Sequence, residues 1–321
     1  MVRKRLVLNA CGVKSLGGEK LFLKAFNLLV ESGIEVIVLY SEEKLYNELK
    51  NIKLKNESIT FMKLTSKRYL HPFLLLITNT EQRKLIESYD AVIHFGNFGF
   101  KTKNNSLVLL QNVLPFVQKN LKNIFLKYFI YRSIKFSKYV LVQLRHMNEI
   151  IEKKYRYKII EIGELEEVIV DASNKSEKIV FFGSDIPNKN YDFMVKALQT
   201  ISQNSSITVI NPPKNIKEFN CVYTETHDQT LSVISENEIY FHASEHETVG
   251  LPIYEAQNLG LKIIIPKRPY SDYLKYENVF FYEYKNIDSA LQKIEEAKNL
   301  KLKHSKAILY NENWSKILEY I

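Results

Sequence analysis

Glu247 and Glu255 stand eight positions apart in the segment Phe241-His-Ala-Ser-Glu-His-Glu247-Thr-Val-Gly-Leu-Pro-Ile-Tyr-Glu255-Ala-Gln-Asn-Leu-Gly260. Pro252 suits the first position of a helix, where no amide donor is needed. That predicts Glu255 in the first helical turn and Glu247 in the loop just before it, two carboxylates delivered to one mouth. The unpaired N–H groups of such a helix start form an anion site suited to a diphosphate. Carboxylates accept charge-assisted hydrogen bonds from sugar and ribose hydroxyls. The chemistry these groups suit is the handling of a phosphorylated, hydroxyl-rich ligand. The plainer reading makes Glu255 a favourable charge near a helix start and Glu247 a loop residue.

The elements that must position this segment alternate between strand and helix. Arg5 to Ala10 reads as a buried strand, followed by a loop with Gly12, Gly17 and Gly18, a helix from Glu19 to Ser32 closed by Gly33, and a strand from Ile34 to Tyr40. Further strands are predicted at Ile59–Leu64, Ala91–Phe95, Leu107–Gln111 and Tyr139–Val142. The rhythm restarts with a strand at Lys178–Phe182, a turn from Gly183 to Asn190 and a helix from Tyr191 to Ser202. Strands follow at Ile207–Ile210, Ile239–His242, Leu261–Pro266 and Val279–Tyr282. Such alternation implies βαβ units and parallel sheets. An acidic stretch from Glu161 to Asp171, then Ser173 to Ser176, marks the junction. The expected division is 1–172, 173–303 and a closing helix over 304–321 that packs back on the first domain. Two doubly wound domains bind ligands outside their strand ends, so the cleft between them is the expected site.

A chain of 321 residues fits two domains of roughly 150 residues each. Its 45% apolar and 25% charged residues are ordinary for a folded protein, and 20 Tyr with 18 Phe argue against a disordered or fibrous chain. Cys11 and Cys221 are too few and too far apart for a disulfide framework or a zinc cluster, and both read as small hydrophobes. No Asp-x-Asp, Gly-rich P-loop, His-Glu-x-x-His or Cys-x-x-Cys occurs, and no metal or other cofactor is expected. Leu6–Ala10 is too short for a signal-peptide core, and no segment approaches the ~20 apolar residues that span a bilayer. The chain is therefore expected to be cytoplasmic.

The glutamate segment resembles the glutamate–seven residues–glutamate motif of retaining family 4 glycosyltransferases: Glu-Gly-Phe-Gly-Leu-Pro, an apolar pair, Glu-Ala and a closing Gly. Here Thr248-Val249 replaces Gly-Phe, while Gly250, Leu251, Pro252, Glu255, Ala256 and Gly260 match. The resemblance implies a GT-B fold, with two Rossmann-like domains facing across a cleft and a closing helix that returns to the first. It places Glu247 at the donor sugar and Glu255 on the nucleotide ribose. Other pieces occur in the expected order. Gly17-Gly18-Glu19 resembles the family's Gly-rich donor loop, and Gln143 to Met147 the strand and helix start that close many first domains. Gly183 to Asn190 is similar to a Gly-Arg…Lys-Gly turn whose two cations hold the diphosphate. Lys189 is present and Ser184 stands at the Arg position. Asn313-Trp314-Ser315 opens what resembles the closing helix. His94 is a candidate donor or acceptor contact, as is Ser184, although its offset from Asp90 departs from the usual pattern.

The resemblance implies transfer of a sugar from a nucleoside-diphosphate sugar to a glycan or lipid-linked glycan, without a metal. Lys189, helix N-termini and Gly-loop amides would meet the leaving-group charge. Two rivals fit the same shape: a nucleotide-sugar epimerase, and a non-catalytic subunit that partners another transferase, for which Ser184 speaks.

Net charge is +9 and uneven. Residues 1–172 hold 28 Lys/Arg against 17 Asp/Glu, and the remainder 17 against 19. The basic half invites an acidic partner or is simply a solvated surface. Gln118 to Lys138 has six Lys/Arg and no Asp/Glu among aromatics; projected as a helix, its charges do not gather on one face. Ser66 to Ile77 is basic, then apolar. Both are candidates for peripheral contact with an anionic membrane at its inner face, or for buried helices with charged edges. Nucleic acid is not expected as a partner, since no recognised module appears.

Overall fold

A computed structural model describes residues 4–13, 16–53, 58–64, 79–172, 178–201 and 206–321. The Ser66–Ile77 candidate lies outside the described residues, as do residues 173–177 of the expected junction.

The chain folds as two compact units: Met1–Gly163 with Glu312–Ile321, and Glu164–Asn311. The first is built on a seven-stranded sheet of β1 (Arg5–Asn9), β2 (Glu35–Tyr40), β3 (Ile59–Lys63), β4 (Ala91–His94), β5 (Asn105–Leu109), β6 (Tyr139–Val142) and β7 (Ile159–Glu161). Its order is β3-β2-β1-β4-β5-β6-β7, every neighbour parallel. Leu6, Val7 and Leu8 of β1 are all fully buried. A parallel strand covered on both faces has no side to turn to water, so it is apolar throughout rather than alternating.

β8 (Gly163–Asp171) pairs with β15 (His304–Glu312). Asn313 N–H donates to Ile162 O at 2.7 Å at one end and Ala172 N–H to Lys303 O at 3.0 Å at the other, so the strands run antiparallel. This ribbon corrects one sequence expectation: residues 304–321 are not one helix. The chain instead runs through β15 and ends in a short 3₁₀ turn, Trp314–Glu319. That turn belongs to the first unit. Trp314 and Ile317 are buried in its core, with Trp314 5.6 Å from the Phe95 ring. Lys4 Nζ donates to the carbonyls of Leu318 and Ile321 at 3.2 and 2.6 Å.

The second unit holds a six-stranded parallel sheet of β9 (Ile179–Phe182), β10 (Ile207–Ile210), β11 (Asn220–Val222), β12 (Ile239–Phe241), β13 (Lys262–Pro266) and β14 (Val279–Tyr282). Its order, β11-β10-β9-β12-β13-β14, repeats the 3-2-1-4-5-6 winding of the first. Strand order reverses between β9 and β12. The connections there depart to opposite sides and leave a crevice at the carboxyl ends.

Candidate active site

That crevice is a cavity of about 240 Å3, lined by Gly183, Ser184, Lys189, His242, Ser244 and Pro252 among others. Gly183 continues β9 and donates its N–H to Ile210 O at 2.7 Å. A Cβ there would strike Pro212 Cα, so only glycine lets the two backbones close. Ser184 Oγ accepts from Ile186 N at 3.3 Å.

The chain then makes a single 3₁₀ turn, Pro187–Lys189, and enters the helix Tyr191–Gln199 through Asn190 in the left-handed region (φ 50°). Two asparagines stitch this turn to the loop after β12. Asn188 is buried and spans the loop, donating to His246 O at 2.7 Å and accepting from His246 N at 3.0 Å. Asn190 Nδ2 donates to Ala243 O at 2.8 Å and Tyr284 Oη at 3.0 Å. Lys189 lies between them, so the stitching fixes its stem against the loop that carries Glu247. From the other side Tyr282 Oη donates to His242 O at 3.0 Å and Tyr270 Oη to Ser244 O at 2.5 Å.

The result brings Lys189 Nζ to 2.6 Å from Glu247 Oε1, with His242 Nε2 3.4 Å from the same oxygen. Burial alone would raise the Glu247 pKa. The Lys189 ammonium and the His242 ring more than offset that and hold it at about 2, so the carboxylate is ionised. His242 is buried, and burial lowers its pKa despite the opposing pull of Glu247. Its Nδ1 lies 3.2 Å from Tyr240 Oη. A neutral ring facing a carboxylate through Nε2 carries its proton there, so Nδ1 accepts from Tyr240. Tyr240, His242 and Glu247 thus stand in series, the His242 ring 3.4 Å from the carboxylate without a hydrogen bond of its own at Nε2 among the described residues.

Gly250 (φ 77°) caps the helix Leu251–Asn258. A Cβ there would meet Ile253 Cδ1 at 2.7 Å and Glu247 Cγ at 3.4 Å, so the missing side chain leaves the Glu247 stem its place. Leu251 takes the first helical position and Pro252 the second, which puts Glu255 just past the first turn rather than within it. Glu255 Oε1 lies 3.3 Å from Nε2 of His227, the residue that opens the helix His227–Ser235.

Of the expected residues, Ser184 and Lys189 line the cavity; Glu247 pairs with Lys189 beside it, Gly250 and Leu251 open the following helix, and Glu255 lies further along that helix against His227. Gly17 and Gly18 belong to the first unit, in the opening turn of the helix Leu16–Glu31, with Gly17 exposed. His94 ends β4 with no exposed surface. Asn9 Nδ2 meets its Nδ1 at 3.0 Å, the Phe100 ring lies 4.5 Å away, and burial lowers its pKa to about 3. It is an enclosed side chain whose Nε2 has no hydrogen-bond partner among the described residues. Sequence reasoning missed Asn188, Asn190, Tyr240, His242 and His227. Asn188 and Asn190 flank Lys189 directly, and His242 stands within the glutamate segment; those adjacencies were the available signal. Among the described residues no group of three or more His, Cys, Asp or Glu is placed to hold a metal ion.

No family model matches the chain, and no curated protein sequence matches it. Solved structures do. A glycosyltransferase from Rickettsia africae superposes with a TM-score of 0.66 at 16% identity, covering 93% of this chain and 89% of that one. HepE of Anabaena, solved with UDP and glucose, gives 0.63 at 11% identity over 92% and 90%. A point mutant of TarM from S. aureus, solved with fondaparinux, α-GlcNAc-glycerol and UDP, gives 0.59 at 12% over 92% and 94%. At such identities the likeness establishes the fold, and the chain carries the two-domain GT-B architecture of glycosyltransferases.

Proposed function

We propose that the chain is a retaining, metal-independent glycosyltransferase that takes a hexose or similar sugar from a nucleoside-diphosphate donor and passes it to a glycan or lipid-linked glycan. The observation that carries this reading is the cavity between β9 and β12, whose lining residue Lys189 pairs with the ionised Glu247 behind it. A cavity lined by a lysine suits a diphosphate, and a buried carboxylate suits an electron-poor sugar carbon. The glutamate motif, and the UDP and UDP-glucose bound in structures of similar fold, support the same reading.

In the proposed step the bond from the anomeric carbon to the diphosphate oxygen breaks, and its electron pair leaves on the diphosphate. Lys189 and the N–H groups of the helix Leu251–Asn258 take up that charge. Positive charge grows on the sugar ring, where Glu247 stabilises it. An acceptor hydroxyl attacks from the face the diphosphate leaves, and its proton passes to the departing phosphate oxygen. Glu255 accepts from ribose hydroxyls and thereby anchors the nucleoside. Ser184 at the position of the family's arginine favours a second reading, a non-catalytic partner subunit.

The test is incubation of the purified chain with UDP- and GDP-sugars, with and without EDTA. Ligand binding to the native state raises the apparent unfolding temperature, and turnover releases nucleoside diphosphate. Stabilisation and release that survive EDTA support the proposal. Stabilisation without any release, even with glycan acceptors, favours the partner subunit; an EDTA-sensitive reaction overturns the metal-free step.

A further inference from the structure

Arg268 follows β13 at the carboxyl edge of the second sheet, and most of its donors are unspent. Its Cζ lies 3.7 Å from the centroid of the Tyr284 ring, a stacking distance for a guanidinium. Its Nε is buried without a hydrogen-bond partner among the described residues, and Nη2 comes no nearer to Glu245 Oε1 than 3.5 Å. Lys285 Nζ lies 5.1 Å from the same ring, so two cations flank Tyr284 where Glu245 supplies one carboxylate.

Both elements of the candidate site hold this arginine. Tyr284 Oη accepts from Asn190 Nδ2 at 3.0 Å, and Asn190 follows Lys189. Glu245 stands between Ser244, which lines the cavity, and the His246–Glu247 pair. Burial pushes the Tyr270 hydroxyl well above its ordinary pKa; the Glu247 carboxylate adds to that and the Arg268 guanidinium opposes it, so one hydroxyl senses both charges. A buried donor left without a partner costs stability. A ligand that bonds it recovers that cost, and a planar guanidinium fork is matched bidentately by a carboxylate. With Glu245 offsetting one of the two cations, the place suits a monoanion better than a phosphate dianion.

Strand order says which part of a ligand reaches it. The sheet runs β11-β10-β9-β12-β13-β14. The groups assigned to a nucleoside-diphosphate sugar follow that order: Glu255 for the ribose, against His227 beyond β11; Lys189 for the diphosphate, beyond β9; Glu247 for the anomeric carbon, beyond β12. Arg268 beyond β13 and Tyr284 beyond β14 come next, where the body of the sugar must lie. We infer that Arg268 reads a carboxylate on the transferred sugar, so that the donor is a nucleoside-diphosphate hexuronic acid. This rests on the transferase reading of the same site. The carboxylate takes paired hydrogen bonds from Arg268 and passes to the acceptor unchanged with its sugar. The bond that breaks is still the one from the anomeric carbon to the diphosphate oxygen.

The test is calorimetric titration of wild type, Arg268→Ala and Arg268→Lys with UDP-glucuronate and UDP-glucose, or with GDP-mannuronate and GDP-mannose if the chain binds GDP instead of UDP. Thermal unfolding checks that each variant folds. Wild type should bind the uronate at least about tenfold more tightly, the effect of one charge-assisted contact. Arg268→Ala should lose at least about tenfold more affinity for the uronate than for the neutral sugar. Arg268→Lys, a point charge without the fork, should regain part of that difference. Equal wild-type affinities, or a preference that Arg268→Ala keeps, would overturn the inference and leave the transferase reading standing. An equal loss for both donors would make Arg268 a brace for the Glu245–Glu247 loop and overturn it as well. A chain that binds neither UDP nor GDP would remove the transferase reading and this inference with it.

Discussion

Lys189 Nζ and Glu247 Oε1 are 2.6 Å apart, joining the cation proposed for the donor diphosphate to the carboxylate proposed for the donor sugar. The two proposed roles are therefore linked. On the proposed reading a bound diphosphate would compete with Glu247 for the Lys189 ammonium. Drawing Lys189 away would leave the Glu247 charge less compensated, with the His242 ring still 3.4 Å from it. Donor binding would thus sharpen the electrostatic groups that lower the barrier.

This linkage is measurable as a coupling. Lys189→Ala leaves Glu247 charged and nearly buried, at a cost of about 1–3 kcal/mol for a hydrogen bond to an ion, less where water reaches the lysine. Adding Glu247→Gln to Lys189→Ala should restore part of that stability, and a denaturant double-mutant cycle reads it. Additive losses would show that the pair is not coupled. Lys189→Ala should also weaken UDP binding at least about tenfold, the effect of losing a charge-assisted contact.

The depressed pKa of Glu247 fixes the sign of a pH effect. A carboxylate held at about 2 when folded and near its ordinary ~4.3 when unfolded stabilises the native state above the unfolded value. That contribution fades as pH falls through the folded value. The stability gap between wild type and Glu247→Gln should be full at neutral pH and shrink steadily from about pH 4 downward. A gap that stays constant to pH 3 would mean the carboxylate is not held ionised by its neighbours.

Glu255 has a different assignment and a different test. Glu255→Ala should weaken UDP binding by about tenfold or more, and 2′,3′-dideoxy-UDP should then bind the variant as well as UDP does. If removing the ribose hydroxyls costs the variant what it costs wild type, Glu255 does not contact the ribose. Because His227 Nε2 lies 3.3 Å from Glu255, His227→Ala removes that contact and should keep or raise UDP affinity.

What could be read in the sequence follows the range of the interactions involved. Gly250, Pro252 and Glu255 lie within one helix start, so their mutual placement was legible to within a residue. The parallel strands were legible because burial on both faces makes them apolar runs, as at Leu6 to Leu8. His242 was not, since its role depends on a loop that doubles back to set Glu247 beside it and on Tyr240 two residues upstream on the same strand. β8 and β15 escaped notice because a two-stranded ribbon tolerates acidic exposed positions such as Glu166 and Glu167 that break the apolar pattern. The helix Leu121–Phe136 carries apolar side chains on every face, and composition cannot say which of them the fold leaves uncovered.

The central claim is tested most directly on Glu247→Gln, with turnover and UDP affinity measured on the same preparation. The substitution keeps the side chain's shape and removes its charge. Turnover should fall by ~10²–10³, the scale for loss of one preorganised electrostatic group. UDP affinity should hold or rise, because Lys189 is released to the diphosphate. Near-normal turnover would remove Glu247 from the mechanism, and a matching loss of UDP affinity would contradict the division of roles between Glu247 and Lys189.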